Sequence, residues 1–526
     1  MSDDLSRRGF LHLLGVYGGS TAVYRAAIGL GLLPFAAHAT KPEIAPLKTG
    51  LGKSVVVLGA GISGLVSAYE LSRKGYRVQV LEASHRAGGR NLTVRSGDLI
   101  DETGNPQICN FDSDPDLYFN CGPARLPGVH TAILAYCKEL GVELAPFVNE
   151  NRNAWVQDDA MFGGRPIRNR EYITHTRGFI AELMAKSVNA GAFTADLTRG
   201  DCDRLLEYVK QLGSLDDSYR YASSTRAGHV RYDYMEPSVF NAPLAFPELL
   251  RSRFMQIMSF GESDDQAAMM MEPVGGMDRI VAAFMARVGP LVRTHAQVQA
   301  IHLTDDGVDV RYRHKGENRT LHADFCLNCI PIQLLAGIEN NFPVEYSRPF
   351  TAIARGKLFK IGLQMKERFW ENDGIYGGIS WTMQDIAQVW YPAHGIHRKK
   401  GVVLGAYATT EEVGEKFARM PHAARIEAAI AQGENIHPGY GKYVEGAVSI
   451  SWARMNHMCG CAVRWTPELQ AQYFKTVQAP AGNHYLIGDQ VSYHPGWQES
   501  AVHSAFHAIT DIDRRVRAGA PQLVAS

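Results

Sequence analysis

Gly59, Gly61 and Gly64 break the apolar run that begins at Ser54, and a carboxylate, Glu82, follows 18 residues after the last of them. Residues of these types at this spacing suit one kind of chemistry, holding the diphosphate and ribose of a dinucleotide. The first glycine lets a strand turn sharply, the second lets backbone N–H groups approach a pyrophosphate, and the third lets helix pack closely on strand. The acid then meets a ribose hydroxyl roughly 20 residues on. Ile62 and Ser63 fill the turn, Ala83 follows the acid, and Gly88-Gly89-Arg90 adds a cation beside the same diphosphate.

The elements that must position these groups follow from hydrophobic periodicity. An apolar strand runs up to Leu58, a helical pattern covers Gly64 to Lys74, Gly75 ends it, and a second strand from Arg77 to Leu81 delivers Glu82. Near the C-terminus Tyr485-Leu-Ile reads as a buried strand ending on Gly488-Asp489, and Pro495-Gly496-Trp497 opens a helix. Gly275-Gly276 precede an amphipathic helix from Met277 to Val288, and the alternation over Val308 to His314 predicts a short antiparallel pair. Helices are expected over Thr176 to Ala190 and Arg204 to Leu212, with 213–246 read as loop. Strand-like runs at Lys360 to Met365 and Gly401 to Ala408 surround a loop at 371–395.

These glycine, acid and Gly-Gly-Arg segments, with the C-terminal Gly-Asp and Gly-Trp corner, resemble the flavin monoamine oxidase family, and within it the bacterial FAD-dependent L-amino acid oxidases. The resemblance implies an α/β (α+β) fold with a discontinuous Rossmann-like FAD-binding domain at 51–115, 268–345 and 445–526. A mixed-sheet substrate domain would take 116–150 and 346–444, and a helical domain 151–267. FAD would then touch Gly59, Gly61, Ile62, Ser63, Gly64, Glu82, Ala83, Gly89, Arg90, the Gly122-Pro123-Ala124-Arg125 segment, the strand backbone near Val298, and Gly488, Asp489, Gly496 and Trp497.

The same resemblance assigns substrate roles. In L-amino acid oxidases a Gly-Pro-x-Arg element carries the arginine that holds the substrate α-carboxylate, and it falls on Arg125. A guanidinium offers a planar fork that fits a carboxylate bidentately and filters against simple amines. Tyr391, just before Pro392, would be the second carboxylate donor, Trp497 an aromatic wall beside the reacting carbon, and Ala462 a small residue where amine-selective members have a second aromatic ring. Lys360, ten residues ahead of Trp370, matches a lysine that holds a water near the flavin. Cys461 falls where monoamine oxidases tether their flavin; the favoured expectation is a non-covalent cofactor. Trp381, Trp390, Trp452 and Ala462 would suit a large side chain, whereas Asp216, Asp217 or Glu236 would suit a basic one, and that preference stays open.

The implied reaction is oxidative deamination of an L-amino acid by O2 to a 2-oxo acid, ammonia and hydrogen peroxide. The rivals are an amino-acid 2-monooxygenase giving amide and CO2, an amine or polyamine oxidase, and a flavoprotein with a binding role only. A homodimer or higher homo-oligomer is expected. Formal net charge is zero over 526 residues, which argues against nucleic-acid partners. At about 150 residues per domain the length suits roughly three domains. No segment has the ~20 uninterrupted apolar residues of a membrane span. Residues 1–39, with Arg7-Arg8-Gly9-Phe10-Leu11 and Ala37-His38-Ala39, look like a twin-arginine signal for a periplasmic or secreted protein. Arg25 interrupts its apolar stretch, so the alternative is a retained N-terminal helix on a cytoplasmic protein. The eight cysteines are scattered and lack zinc-site spacing, so no metal is expected.

Overall fold

Val55 to Leu58, apolar without interruption, form the centre of a five-stranded sheet in which every neighbour is parallel. The order is Val292–Arg293, Arg77–Leu81, Ser54–Leu58, Phe325–Asn328, His484–Leu486. An unbroken apolar run is what a strand covered on both faces requires. Successive side chains serve the two faces in turn. Val55 and Val57 pack with the helices Ile62–Arg73, Asp278–Val288 and Gln498–Gly519. Val56 and Leu58 pack under a second sheet of Glu317–Ala323, Val308–His314, Ala296–Leu303 and Glu339–Asn340. The computed structural model describes residues 49–519 apart from positions 232 and 409, so the signal expected at 1–39 lies outside the described residues.

The second large unit is a seven-stranded mixed sheet. Its order is Ile167–Arg168, Trp155–Gln157, Ile379–Thr382, Gln388–Trp390, Gly401–Ala408, Phe359–Met365, Val444–Ser451. It draws on segments that the sequence reading put elsewhere. The edge strand at 167–168 and its neighbour at 155–157 fall within the range expected to be helical, and Val444–Ser451, expected from 445 onward among the nucleotide-binding parts, pairs antiparallel with Phe359–Met365. The stretch 371–395 is not all loop, since it supplies two strands. Each has only three or four residues, and Gly377-Gly378 stand before the first, so alternation had little length in which to appear.

Helices Asn169–Asn189 and Arg199–Gly213 pack on each other around Ala181, Ala185, Val209, Leu215 and Tyr221. The first starts seven residues earlier than periodicity suggested, because the Glu171 carboxylate accepts the Arg168 N–H at 3.0 Å and closes the N-terminal turn. The expected loop at 213–246 holds a short hairpin, His229–Arg231 with Val239–Phe240. A fully buried ion pair ties helix His422–Gly433 to the large sheet: both partners are 0% exposed, Arg425 Nη1 donates to Glu102 at 2.9 Å, and Glu102 accepts the Ser451 N–H. No helix among the described residues is long and apolar enough to cross a membrane.

Candidate active site

A cavity of about 810 Å³ runs from the C-terminal edge of the parallel sheet to the seven-stranded sheet. Gly59, Gly61, Ile62, Ser63, Glu82, Ala83 and Val298 line one end; Gly89, Arg90, Gly488, Asp489 and Gly496 line the middle; Gly122, Pro123, Lys360, Cys461 and Trp497 line the other.

The nucleotide end is built from backbone. The helix Ile62–Arg73 begins at Gly61 with no side-chain cap, which leaves its first N–H groups and the positive end of its dipole toward the cavity. A Cβ added to Gly61 would meet no protein atom within 4 Å among the described residues, so the space beside it is shaped for something other than protein. At Gly64 an added Cβ would collide with the Gly59 carbonyl, which is the close helix–strand approach that the third glycine serves. Cys329 Sγ steadies the same turn, its single S–H shared between the Leu58 and Gly59 carbonyls, each at 3.0 Å. Glu82 is held by the N–H groups of Ala60 at 2.7 Å and Ser84 at 2.8 Å, while burial pushes its carboxyl up. An uncapped helix start, a glycine opening on empty space and a buried acid at the next strand tip fit the diphosphate and ribose of a dinucleotide.

In the middle, Arg90 and Asp489 meet each other. Arg90 Nη2 pairs with Oδ1 and Nη1 with Oδ2 at 3.1 Å, and Asp489 Oδ2 also accepts the Gly496 N–H at 2.7 Å. Burial works against the Asp489 carboxylate, but Arg90, Arg355 and the Gly496 N–H together outweigh it and hold the group below its ordinary range. A second arginine not anticipated from sequence, Arg355, lines the cavity beside this pair.

Just behind the far end, next in sequence to the lining residues Gly122 and Pro123 but not itself lining the cavity, Arg125 lies half-buried. Its guanidinium stacks over Trp390, 4.5 Å from the ring centre, and Nη2 donates to Gln266 Oε1 at 2.7 Å, but Nε is shielded and has no partner. No acidic residue among the described residues forms an ion pair with it, and burial lowers it to about 10 against the weaker attraction of Tyr407 and Asp265. Lys360 is 3% exposed; its Nζ donates to the carbonyls of Gly122 and, at 3.4 Å, Asn120. Burial brings it down to about 8. Trp497 packs edge-on against His130 with centroids 4.8 Å apart. Ala462 lies against Gly496, within 3.4 Å of a Cβ placed there, and Ala124 packs in the neighbouring apolar cluster.

Tyr391 is not in this group. Its hydroxyl is buried within the substrate-side core, bonded to Ser380 Oγ at 2.7 Å and His437 Nε2 at 2.6 Å. Adjacent residues on extended chain face opposite ways, so Trp390 takes the Arg125 side and Tyr391 the other. The tyrosine that does line the cavity is Tyr407, which pairs with Lys360 across the sheet, its ring 5.0 Å from Lys360 Nζ. Tyr407 sits inside a strand that sequence identified, but its partner across the sheet was not legible. Among the described residues no group of three His, Cys, Asp or Glu side chains is placed to hold a metal ion.

The arrangement combines a dinucleotide cradle with a cationic, aromatic-walled pocket. A family model described as flavin containing amine oxidoreductase matches residues 62–512. The L-amino-acid oxidase of Demansia vestigiata is 27% identical over 484 residues, covering 89% of this chain and 88% of that one. A flavin-dependent L-tryptophan oxidase of Lentzea aerocolonigenes is 27% identical over 493 residues, covering 88% and 98%. Among solved structures, a putrescine oxidase bound to putrescine superposes with a TM-score of 0.61 at 16% identity, over 88% of this chain and 99% of that one. Cyclohexylamine oxidase from Brevibacterium oxydans gives 0.58 at 16%, with the same coverage. At those identities the likeness concerns the fold.

Proposed function

The chain belongs to the family of flavin-containing amine oxidoreductases, and within it we propose that this protein oxidatively deaminates L-amino acids, using FAD and oxygen and releasing a 2-oxo acid, ammonia and hydrogen peroxide. The observation that carries this reading is Arg125. A half-buried guanidinium that stacks on Trp390, has a shielded Nε without a partner and forms no contact ion pair among the described residues is prepared to receive an anion from a ligand.

Flavin, when bound, would supply the two-electron acceptor for the substrate α-hydrogen and a route for those electrons to oxygen. The protein's own part is position. Arg125 and the Tyr407 hydroxyl fix the α-carboxylate, with Tyr407 taking the role that sequence assigned to Tyr391. Trp497, backed by His130, walls the α-carbon, and Ala462 leaves room beside it. Holding the substrate in one orientation is worth more to the rate than any single proton transfer. Lys360 keeps its proton at Nζ below about pH 8 and holds a water for the oxygen step.

The cofactor is proposed to be non-covalent; acid precipitation that leaves the yellow colour in the pellet would instead point to a tether at Cys461. Export by the twin-arginine route would give a mature chain starting after Ala39, which N-terminal sequencing reads directly. Assembly is proposed as a homodimer or higher oligomer, readable by sedimentation. The reaction itself is tested under nitrogen. An L-amino acid should bleach the flavin while the amine left by its decarboxylation does not, and bleaching by the amine at an equal rate would contradict the reading.

A further inference from the structure

Charge around the cavity is not distributed as the Gly-Gly-Arg pattern implies. Arg90, expected beside the diphosphate, commits both terminal nitrogens to Asp489, and that carboxylate in turn holds the Gly496 N–H. The pair is neutral as a unit. Arg355 lines the same cavity, is 7% exposed, and donates Nε to the Cys461 carbonyl at 2.7 Å. That carbonyl also accepts Arg90 Nη1, at 3.2 Å, so two guanidiniums converge on one oxygen. Among the described residues no carboxylate forms an ion pair with Arg355.

Its position is fixed by backbone. Arg355 bridges Val463, the Gly356 N–H donates to Ala462 O at 2.8 Å, Cys461 N–H to Gly356 O at 2.9 Å, and Arg464 N–H to Ala354 O at 2.8 Å. The segment therefore forms a short antiparallel ribbon that leads into the strand carrying Lys360. The Gly88-Gly89-Arg90 turn lies against the glycine loop, since a Cβ on Gly89 would come within 3.5 Å of Gly61 Cα. A chain of contacts thus joins the uncapped helix start, Arg90, the Cys461 carbonyl and Arg355. Asp489 attracts Arg355 as well as Arg90, so two guanidiniums share one carboxylate, and the excess buried cation is costly unless a ligand brings a further anion. Burial, and then Arg90, lower Arg355 to about 10 despite the attraction of Asp489, as expected where positive charge exceeds negative.

We propose that Arg355, not Arg90, is the principal side-chain cation for the diphosphate of bound FAD, while Arg90 and Asp489 form a neutral brace that holds the Gly496 corner. The inference rests on the FAD reading given above. It assigns the cofactor's charge to a residue outside the glycine motifs, on the substrate-side ribbon, and so couples cofactor retention to the strand of Lys360.

The test uses purified protein stripped of flavin and titrated with FAD, followed by flavin fluorescence, for wild type, Arg355→Met and Arg355→Lys. Loss of a buried charge-assisted contact predicts FAD binding about 10- to 100-fold weaker in Arg355→Met. Arg355→Lys keeps the charge and should stay within a few-fold of wild type. ADP, which has the diphosphate without the flavin ring, should lose affinity by the same factor as FAD. Unchanged FAD affinity in Arg355→Met would overturn the proposal. So would a loss confined to FAD and absent for ADP, or an equal loss in both variants with a matching fall in apoprotein Tm, which would make the residue a packing element. Failure of the wild-type apoprotein to take up FAD would overturn the cofactor reading itself, and the proposal with it.

Discussion

Replacing Arg125 by Met separates function from stability in a way the structure lets one estimate. The guanidinium is kept charged in a site that lowers it from 12.5 to about 10, a difference equivalent to roughly 3 kcal/mol. The sign follows from its being a cation. The folded state binds its proton less tightly than the unfolded chain does, so at neutral pH the charged group opposes folding, and that penalty fades only as pH rises through about 10. Against it stand a charged hydrogen bond to Gln266, about 1.5–3 kcal/mol, and stacking on Trp390, about 1–2 kcal/mol. These contributions nearly cancel, so Arg125→Met should leave Tm within a few degrees of wild type. Turnover should respond very differently. Truncating one partner of a buried carboxylate–guanidinium pair costs about 2–5 kcal/mol, which is roughly 30- to several thousand-fold in kcat/KM. The assay is peroxide release from L-amino acids by flavin-loaded protein, with a thermal melt of the same sample. Arg425→Met serves as the control, because its partner Glu102 is fully buried and would be left unpaired, at about 3–5 kcal/mol of stability. Unchanged kcat/KM in Arg125→Met, or a fall in Tm as large as that of Arg425→Met, would refute the reasoning.

Tyr407→Phe should raise KM for amino acids about tenfold, whereas Tyr391→Phe should leave KM alone and lower Tm, since it removes the bonds to Ser380 and His437; the opposite pattern would restore the role that sequence gave Tyr391. Because burial brings Lys360 to about 8, its positive charge is present below that pH and lost above it. The rate of flavin reoxidation by O2 in stopped flow should therefore fall as pH rises through about 8, and Lys360→Met should flatten the profile; an identical profile in the variant would remove Lys360 from this step. Gly61→Val should fold, by far-UV circular dichroism, yet fail to retain flavin, because its side chain enters the cavity. Gly64→Val should fail to fold, because it collides with the Gly59 carbonyl.

What sequence revealed and what it concealed divide along the range of the interactions. The glycine turn, Glu82 and the Gly488-Asp489 corner are set by local backbone geometry and by strands buried on both faces, so residue type and spacing sufficed. Arg125 is singled out by the resemblance of its own short segment, and its substrate role stands as a proposal. Tyr391 was misplaced because which way a strand-end residue faces depends on the register of the whole sheet, and the Lys360–Tyr407 pairing that settles it joins distant segments. The strands at 155–157, 167–168, 379–382 and 388–390 are too short for alternation to declare itself. Gln266 reaches Arg125, and Arg355 reaches the cavity, from irregular segments in which no local pattern marks a functional side chain.

The most direct test of the central claim is release of hydrogen peroxide and ammonia by purified, flavin-loaded protein supplied in turn with the twenty L-amino acids, their D forms and simple amines. The account predicts both products in equal amounts from L-amino acids alone. Activity confined to amines, or turnover of L-amino acids without peroxide, would contradict it.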